Sequence, residues 1–276
     1  MSFLPAEIEK SSTAFDRVVQ IMRYLRGPKG CAWDREQTFD SIKPFTLEET
    51  YEVFDAIERR AWPELKDELG DLLLQVLFYS QMAEEAGHFT IEDVVGNLGD
   101  KLIRRHPHVF GDAIASSAND VIRTWDKVKA AEKKPSTDRY LDEIPRTMPG
   151  LMEAAKITSR AAKIGFDWQG PLDLFAKLDE ECDELRAEIE ADSPDRSLIE
   201  EEFGDLLFVV VNLGRHLKVN SEEALRGTNR KFRRRFAAME KFAGGPDELA
   251  NLTLPAMEDL WLRAKMEEKE RNGFAE

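Results

Sequence analysis

In the second half of the chain Glu181 and Glu184 stand three residues apart, and so do Glu202 and Asp205. Side chains three apart on a helix share a face. Leu178, Cys182, Leu185 and Ile189 make an apolar stripe on the first segment, with Glu181 and Glu184 displaced to one side of it. Leu206, Val210 and Leu213 make the stripe on the second, and Glu202 and Asp205 are displaced to the same side. A turn at Asp192-Ser193-Pro194, with Pro194 in the first helical turn, lays the two helices antiparallel, stripe against stripe. Equal offsets then bring all four carboxylates to one level. Like charges that close repel by about 4 kcal/mol per pair at an effective dielectric of about 20, so the group must take up protons or bind cations. Oxygen-only ligation suits Mg²⁺ or Mn²⁺ rather than zinc.

The first half repeats the pattern. Glu48, Glu49 and Glu52 precede Glu68 and Asp71 as Glu180, Glu181 and Glu184 precede Glu202 and Asp205, and Glu68-Leu-Gly-Asp71 answers Glu202-Phe-Gly-Asp205. Further on, Lys101 and Arg105 match Lys231 and Arg235, Trp125 and Lys129 match Trp261 and Lys265, and Trp33 and Trp168 each precede an acidic set. In a chain with 34% charged residues a single acidic motif reads as solvated surface, whereas an ordered series recurring in both halves reads as a duplicated unit. Here the apolar stripe is Thr46, Thr50, Val53 and Ile57 with a turn near Ala61-Trp62-Pro63, and Tyr51 and Phe54 form a second greasy face suited to another helix pair or subunit.

A carboxylate-held Mg²⁺ completes its shell with water and substrate phosphates, and phosphates call for further positive charge, which Lys177, Lys231 and Arg235 offer. Each taken alone is an ordinary surface cation. Trp261 can stack on a nucleobase, although tryptophan more often serves core or interface.

The elements that position these groups are helices. Apolar residues recur at three- and four-residue spacing, alternating strands are absent, and Gly and Pro punctuate the segments, which predicts an all-α protein. The 276 residues suggest two domains: a unit over 1–132, a proline-bearing linker over 133–149 and a unit over 150–276. Net charge of −15 opposes a nucleic-acid or anionic-membrane binder. Cys31 and Cys182 lie far apart, no leader-like apolar run is visible between Met1 and Thr13, and the longest greasy stretches are too short to span a bilayer, so a cytoplasmic setting is expected. Phosphate loops and dinucleotide fingerprints are missing, and His88, His106, His108 and His216 lack the spacing of a di-iron bundle, His106-Pro-His108 reading as a helix-ending turn.

The series Glu180-Glu181-x-x-Glu184, Glu202-x-x-Asp205 and Asn229-x-Lys231-Phe232-x-Arg234-Arg235 resembles the MazG nucleoside triphosphate pyrophosphohydrolases, as do Cys31-Ala32-Trp33-Asp34-Arg35-Glu36-Gln37-Thr38, with Ala32 where proline is usual, and Ile164-Gly165-Phe166-Asp167-Trp168. The resemblance runs from about Phe15 to Lys265 in two tandem units. It implies four-helix-type bundles formed through a homodimer, and Mg²⁺-dependent hydrolysis of NTP or dNTP to NMP and pyrophosphate with broad base tolerance. It further implies that Glu181, Glu184, Glu202 and Asp205 hold metal, that Lys177, Glu181, Glu201, Asp205, Lys231, Arg235 and Trp261 contact nucleotide, and that Lys231 and Arg235 steady the leaving pyrophosphate. Glu49, Glu52, Glu68, Asp71, Lys101, Arg105 and Trp125 form a second candidate site, weakened by Phe45 in place of Lys177 and Ile103 in place of Arg233, which puts the main site in the second unit. Two rivals share part of the pattern: a narrower all-α pyrophosphatase acting on dUTP or phosphoribosyl-ATP, and a non-catalytic nucleotide-sensing regulator.

Overall fold

Several of the longer helices begin where a side chain satisfies the first free backbone amides. Thr38 and Ser41 exchange such bonds, Thr38 N donating to Ser41 Oγ at 2.8 Å and Ser41 N to Thr38 Oγ1 at 3.2 Å, and Thr90 with Asp93 does the same. The structure is a computed structural model that describes residues 5–113, 116–132 and 139–273. Among the described residues there are helices and turns but no strand, as the periodicity predicts. The chain forms two compact units, Met1–Pro135 and Ser136–Glu276.

The first unit contains α1 (Ala6–Glu9), α2 (Ala14–Arg26), α3 (Ala32–Glu36), α4 (Phe39–Arg59), α5 (Trp62–Glu85), α6 (Ile91–Arg105), α7 (Pro107–Phe110) and α8 (Ala118–Ala131). Its central pair is α4 against α5, with α2 laid on α5. Val19, Met22, Ile42, Leu77, Phe78, Met82 and Ile91 make the core. The expected turn is present: Arg60 closes α4 in the left-handed conformation at φ 57°, and Pro63 enters the first turn of α5, where its missing N–H costs nothing.

The second unit contains α9 (Gly150–Ala162), α10 (Pro171–Glu190), α11 (Arg196–His216), α12 (Ser221–Ala243), α13 (Pro246–Ala250) and α14 (Leu254–Gly273). Here α10 pairs with α11, α9 covers α11, and α14 folds back on α12. Gly244 at φ 101° ends α12 in a backbone region that suits glycine. Of the expected linker, residues 133–138 lie outside the described residues. Part of the remainder is tied to α9, because Arg160 Nη2 donates to Glu143 Oε2 at 2.7 Å and its guanidinium sits 4.6 Å over the Tyr140 ring.

Four local expectations need correction. On α10 Ile189, expected in the apolar stripe, is exposed. On α4 the buried line runs through Ile42, Val53 and Ala56, while Ile57 is exposed. On α11 the buried arc takes in Val209, Val211 and Asn212 but not Val210, which is 45% exposed. Because α11 packs against α9 as well as α10, its buried arc is rotated from the one that a two-helix pairing predicts. Finally, Pro194 precedes α11 rather than opening it: Asp195 is the cap, and its Oδ1 accepts from Ser197 N at 2.8 Å.

Candidate active site

Pairing α10 with α11 carries Glu181, Glu184 and Glu202 together, so that one carboxylate oxygen of each lies within 4.8 Å of the others. Glu181 is only 4% exposed. An ionised carboxylate that deep needs a partner, and Lys177, one turn earlier, supplies it: Nζ is 2.7 Å from Glu181 Oε1 and 2.9 Å from Glu180 Oε1. Those two carboxylates push the Lys177 ammonium well above its usual pKa. Glu202 holds its proton above the ordinary carboxylate range, first because burial disfavours its charge and then because Glu184, Glu181, Asp205 and Glu201 surround it. Asp205 and Glu201 are exposed and lie outside the close trio, yet near enough to act on Glu202.

The first unit builds the corresponding group on α4 and α5. Oxygens of Glu49, Glu68 and Asp71 lie within 4.8 Å of one another. Glu49 is raised by burial and then by Asp71, Glu52 and Glu68, and Glu68 by burial and then by Glu52, Asp71 and Asp67. The position of Lys177 is taken by Phe45, whose ring meets Trp33 edge-on at 6.3 Å. The first cluster therefore carries its excess charge with no ammonium at that place, and Glu49 and Glu68 both hold their protons above the ordinary carboxylate range.

Both groups suit a hard divalent ion. The donors are all oxygen, neither histidine nor cysteine enters either group among the described residues, and ligands about 2.1 Å from Mg²⁺ sit about 3–4 Å from each other, which small rotations of carboxylates 4.8 Å apart can reach. His106 ends α6 and leads into Pro107 of α7, the turn that its sequence predicts.

The basic and aromatic residues gather on α12 and α14. Arg235 Nε donates to Glu268 Oε2 at 2.7 Å, and the Arg235 guanidinium lies 5.6 Å from the Trp261 ring centre. Trp261 is half-buried, 5.1 Å from Phe232, against the Met239, Leu249 and Ala264 core. Lys231 is exposed on α12. In the first unit Arg105 binds Glu132 at 2.6 Å and lies 5.0 Å over Trp125, with Lys129 Nζ at 4.9 Å from that ring, and Lys101 is half-buried on α6. Sequence reasoning passed over Glu132 and Glu268. The signal was there, since each follows its tryptophan by the same two helical turns, from Trp125 and from Trp261.

The two tryptophan-bearing signatures are fastened by side chains from the helices. Arg26 Nη1 donates to the carbonyls of Asp34 at 2.5 Å and Gln37 at 3.3 Å. Asp167 accepts from His216 Nε2 at 2.9 Å and from Arg215, at the end of α11. The second signature is thus tied to α11, which bears carboxylates, and the first to α2, whose Arg26 also donates to Glu85 of α5.

The profile of the MazG nucleotide pyrophosphohydrolase domain matches residues 37–110 and 169–238, one match in each unit. The chain is 46% identical to the nucleoside triphosphate pyrophosphohydrolase of Escherichia coli K12 over 92% of its own length and 97% of that protein's. It is 44% identical to the nucleoside triphosphate pyrophosphohydrolase/pyrophosphatase MazG of Thermotoga maritima, over 94% and 98% respectively. It is also 44% identical to the uncharacterized protein YabN of Bacillus subtilis, covering 92% of this chain and 52% of that one.

Proposed function

The chain belongs to the MazG nucleotide pyrophosphohydrolase family, and from that premise we propose that it hydrolyses nucleoside triphosphates, ribo- or deoxyribo-, to the monophosphate and pyrophosphate at the carboxylates of α10 and α11. The observation that carries this reading is the meeting of Glu181, Glu184 and Glu202 around a space lined by oxygen, with a lysine on the deepest of them. Glu181, Glu184, Glu202 and Asp205 would hold Mg²⁺, with Mn²⁺ as the alternative. Bound there, the ion supplies charge neutralisation on the phosphates and acidifies water. Lys177 fixes the rotamer of Glu181. Lys231 and Arg235 take phosphate oxygens and steady the charge that develops on departing pyrophosphate. Glu201 lies at the nucleotide's edge, and Trp261 offers the base a face that reads no hydrogen-bond pattern, in keeping with broad base tolerance.

The cluster of Glu49, Glu52, Glu68 and Asp71, with Lys101, Arg105 and Trp125, is the second candidate centre, and Phe45 makes it the weaker one. Unit boundaries at 1–132 and 150–276, joined by 133–149, keep each set of helices intact.

The reading of a homodimer is supported by surface that each unit by itself leaves wet. Leu69, Leu73 and Val76 on α5 are exposed, and so are the corresponding Phe203, Leu207 and Val210 on α11. The first unit adds Leu47, Tyr51 and Phe54 on α4, all exposed, where the second has Asp179, Asp183 and Arg186. Stripes of that size mark association surfaces. No helix of the described residues is long and apolar enough to cross a membrane, and we place the enzyme in the cytoplasm.

The decisive experiment incubates the protein with Mg²⁺ and each common NTP and dNTP and separates the products. Monophosphate with pyrophosphate across the panel supports the reading. Diphosphate with phosphate rejects it, a single strongly preferred substrate favours a dUTP- or phosphoribosyl-ATP-type enzyme, and heat of nucleotide binding without turnover favours a sensor.

A further inference from the structure

Both units hold adjacent arginines against one glutamate, but they hold them in opposite ways. In the first, Glu132 grips Arg105 through both Nε (3.1 Å to Oε2) and Nη2 (2.6 Å to Oε2), and takes Arg104 through Nε alone at 2.7 Å. In the second, Glu268 grips Arg234 through Nε (3.2 Å) and Nη2 (2.8 Å), both on Oε1, and takes Arg235 through Nε alone at 2.7 Å on Oε2. The forked grip has moved from the arginine over the tryptophan to its neighbour. Arg235 consequently keeps both terminal amino groups outside its bond to Glu268, above Trp261, whereas Arg105 has one of its own tied down.

We infer that Glu268 is a positioning residue for the nucleotide site: it fixes Arg235 by Nε and leaves the terminal amino pair presented to a polyphosphate, while Arg234 occupies its other oxygen and keeps it from chelating Arg235. The inference rests on the reading that Arg235 contacts nucleotide phosphate. Arginine has five donors in a rigid plane, so holding Nε aims the other four without consuming them. Glu268 suits the task, since it is only 8% exposed and the Arg234 and Arg235 bonds keep its carboxyl ionised, below the usual range. Two helical turns separate it from Trp261 on α14, with buried Ala264 between, so ring and carboxylate face α12 together. Both family matches end before the helices that carry Glu132 and Glu268.

Steady-state kinetics with Mg²⁺ and ATP on the full chain test this. R235Q should lower kcat/KM at least about tenfold, as expected for a charged hydrogen bond. E268Q should raise KM about tenfold with kcat within about twofold, E268D should recover most of the loss, and E268Q added to R235Q should cost little more, because both act through one group. Wild-type KM in E268Q, or a loss that adds in full to that of R235Q, overturns the inference. If R235Q itself behaves as wild type, the assignment of Arg235 to the nucleotide fails as well, whereas an impaired R235Q beside an unimpaired E268Q rejects the role of Glu268 alone. Should E268Q not fold, R234Q decides: Oε1, once released, should fork Arg235 and raise KM several-fold, and an unchanged KM overturns the inference.

Discussion

Lys177 Nζ lies 2.7 Å from Oε1 of Glu181, one turn along the same helix, and Glu181 is the most deeply buried charged side chain of the second unit. The pair decides how the two acidic clusters differ. Truncating the lysine leaves a desolvated carboxylate beside Glu184 and Glu202, a situation worth about 1–3 kcal/mol. Lys177→Ala should therefore lower stability by about that amount in urea unfolding, and saturating Mg²⁺ should restore a large part of it. Equal loss with and without Mg²⁺ would count against a cation at this place.

Alanine at Glu202 or Asp205 should abolish pyrophosphate release, by more than about 100-fold, beyond what groups merely supporting a ligand cost. Helical content by circular dichroism should be unchanged, because Asp205 is exposed and Glu202 only half-buried. Near-normal turnover by both variants would refute the assignment.

Glu49, Glu68 and Glu202 bind their protons more tightly in the folded chain than their ordinary values allow. A carboxyl raised on folding stabilises the fold below its unfolded pKa, and that contribution is lost as pH climbs through the folded value. The opposite holds for Glu132, drawn down to about 2 by Arg105 and Arg104: its contribution is present above the unfolded value and disappears only as pH falls towards about 2. Because Glu49, Glu68 and Glu202 are raised and Glu132 stays charged until far lower pH, metal-free protein should gain in Tm as pH drops from neutral towards the ordinary carboxylate range. Mg²⁺ should raise Tm at about pH 7 and do so less at about pH 5, where protons compete. Differential scanning fluorimetry with and without chelator reads both trends.

Glutamate at Leu73 should weaken self-association, because that side chain sits in the exposed stripe of α5 facing the same way as Leu69 and Val76. Sedimentation velocity should show wild type as a dimer and Leu73→Glu as a monomer with native helicity. Leu207→Glu asks the same of α11 and tells which unit carries the contact.

The helical class, the duplication and the approach of Glu181 and Glu184 to Glu202 were legible because each depends on spacing along one helix or on one short turn, whereas Asp205, expected at the same place, lies outside the close trio. What the spacing misplaced was rotation. Val210 reads as inward against α10 alone, and the arrival of α9 on α11 turns Val209, Val211 and Asn212 inward instead, while Ile57 stays exposed on α4 beside its partner α5. Glu268 and Glu132 escaped for another reason. Their partners lie on other helices, at separations of 33 and 27 residues, which no local periodicity reports. The repeated interval from each tryptophan was the one trace they left.

The corner from Gly244 to Thr253 sets how far α14 slides along α12. Glycine at φ 101° opens it, and at the next position an added side-chain carbon would fall 2.4 Å from Glu248 Oε2. Insertions there would shift the register at which tryptophan and carboxylate meet the arginines, whereas the contact at Gly245 is with the end of the Glu248 side chain, which can move aside. If Arg235 and Trp261 meet the nucleotide as proposed, a bend that bears no reactive group governs how they are aimed, at a distance from the carboxylates of α10 and α11.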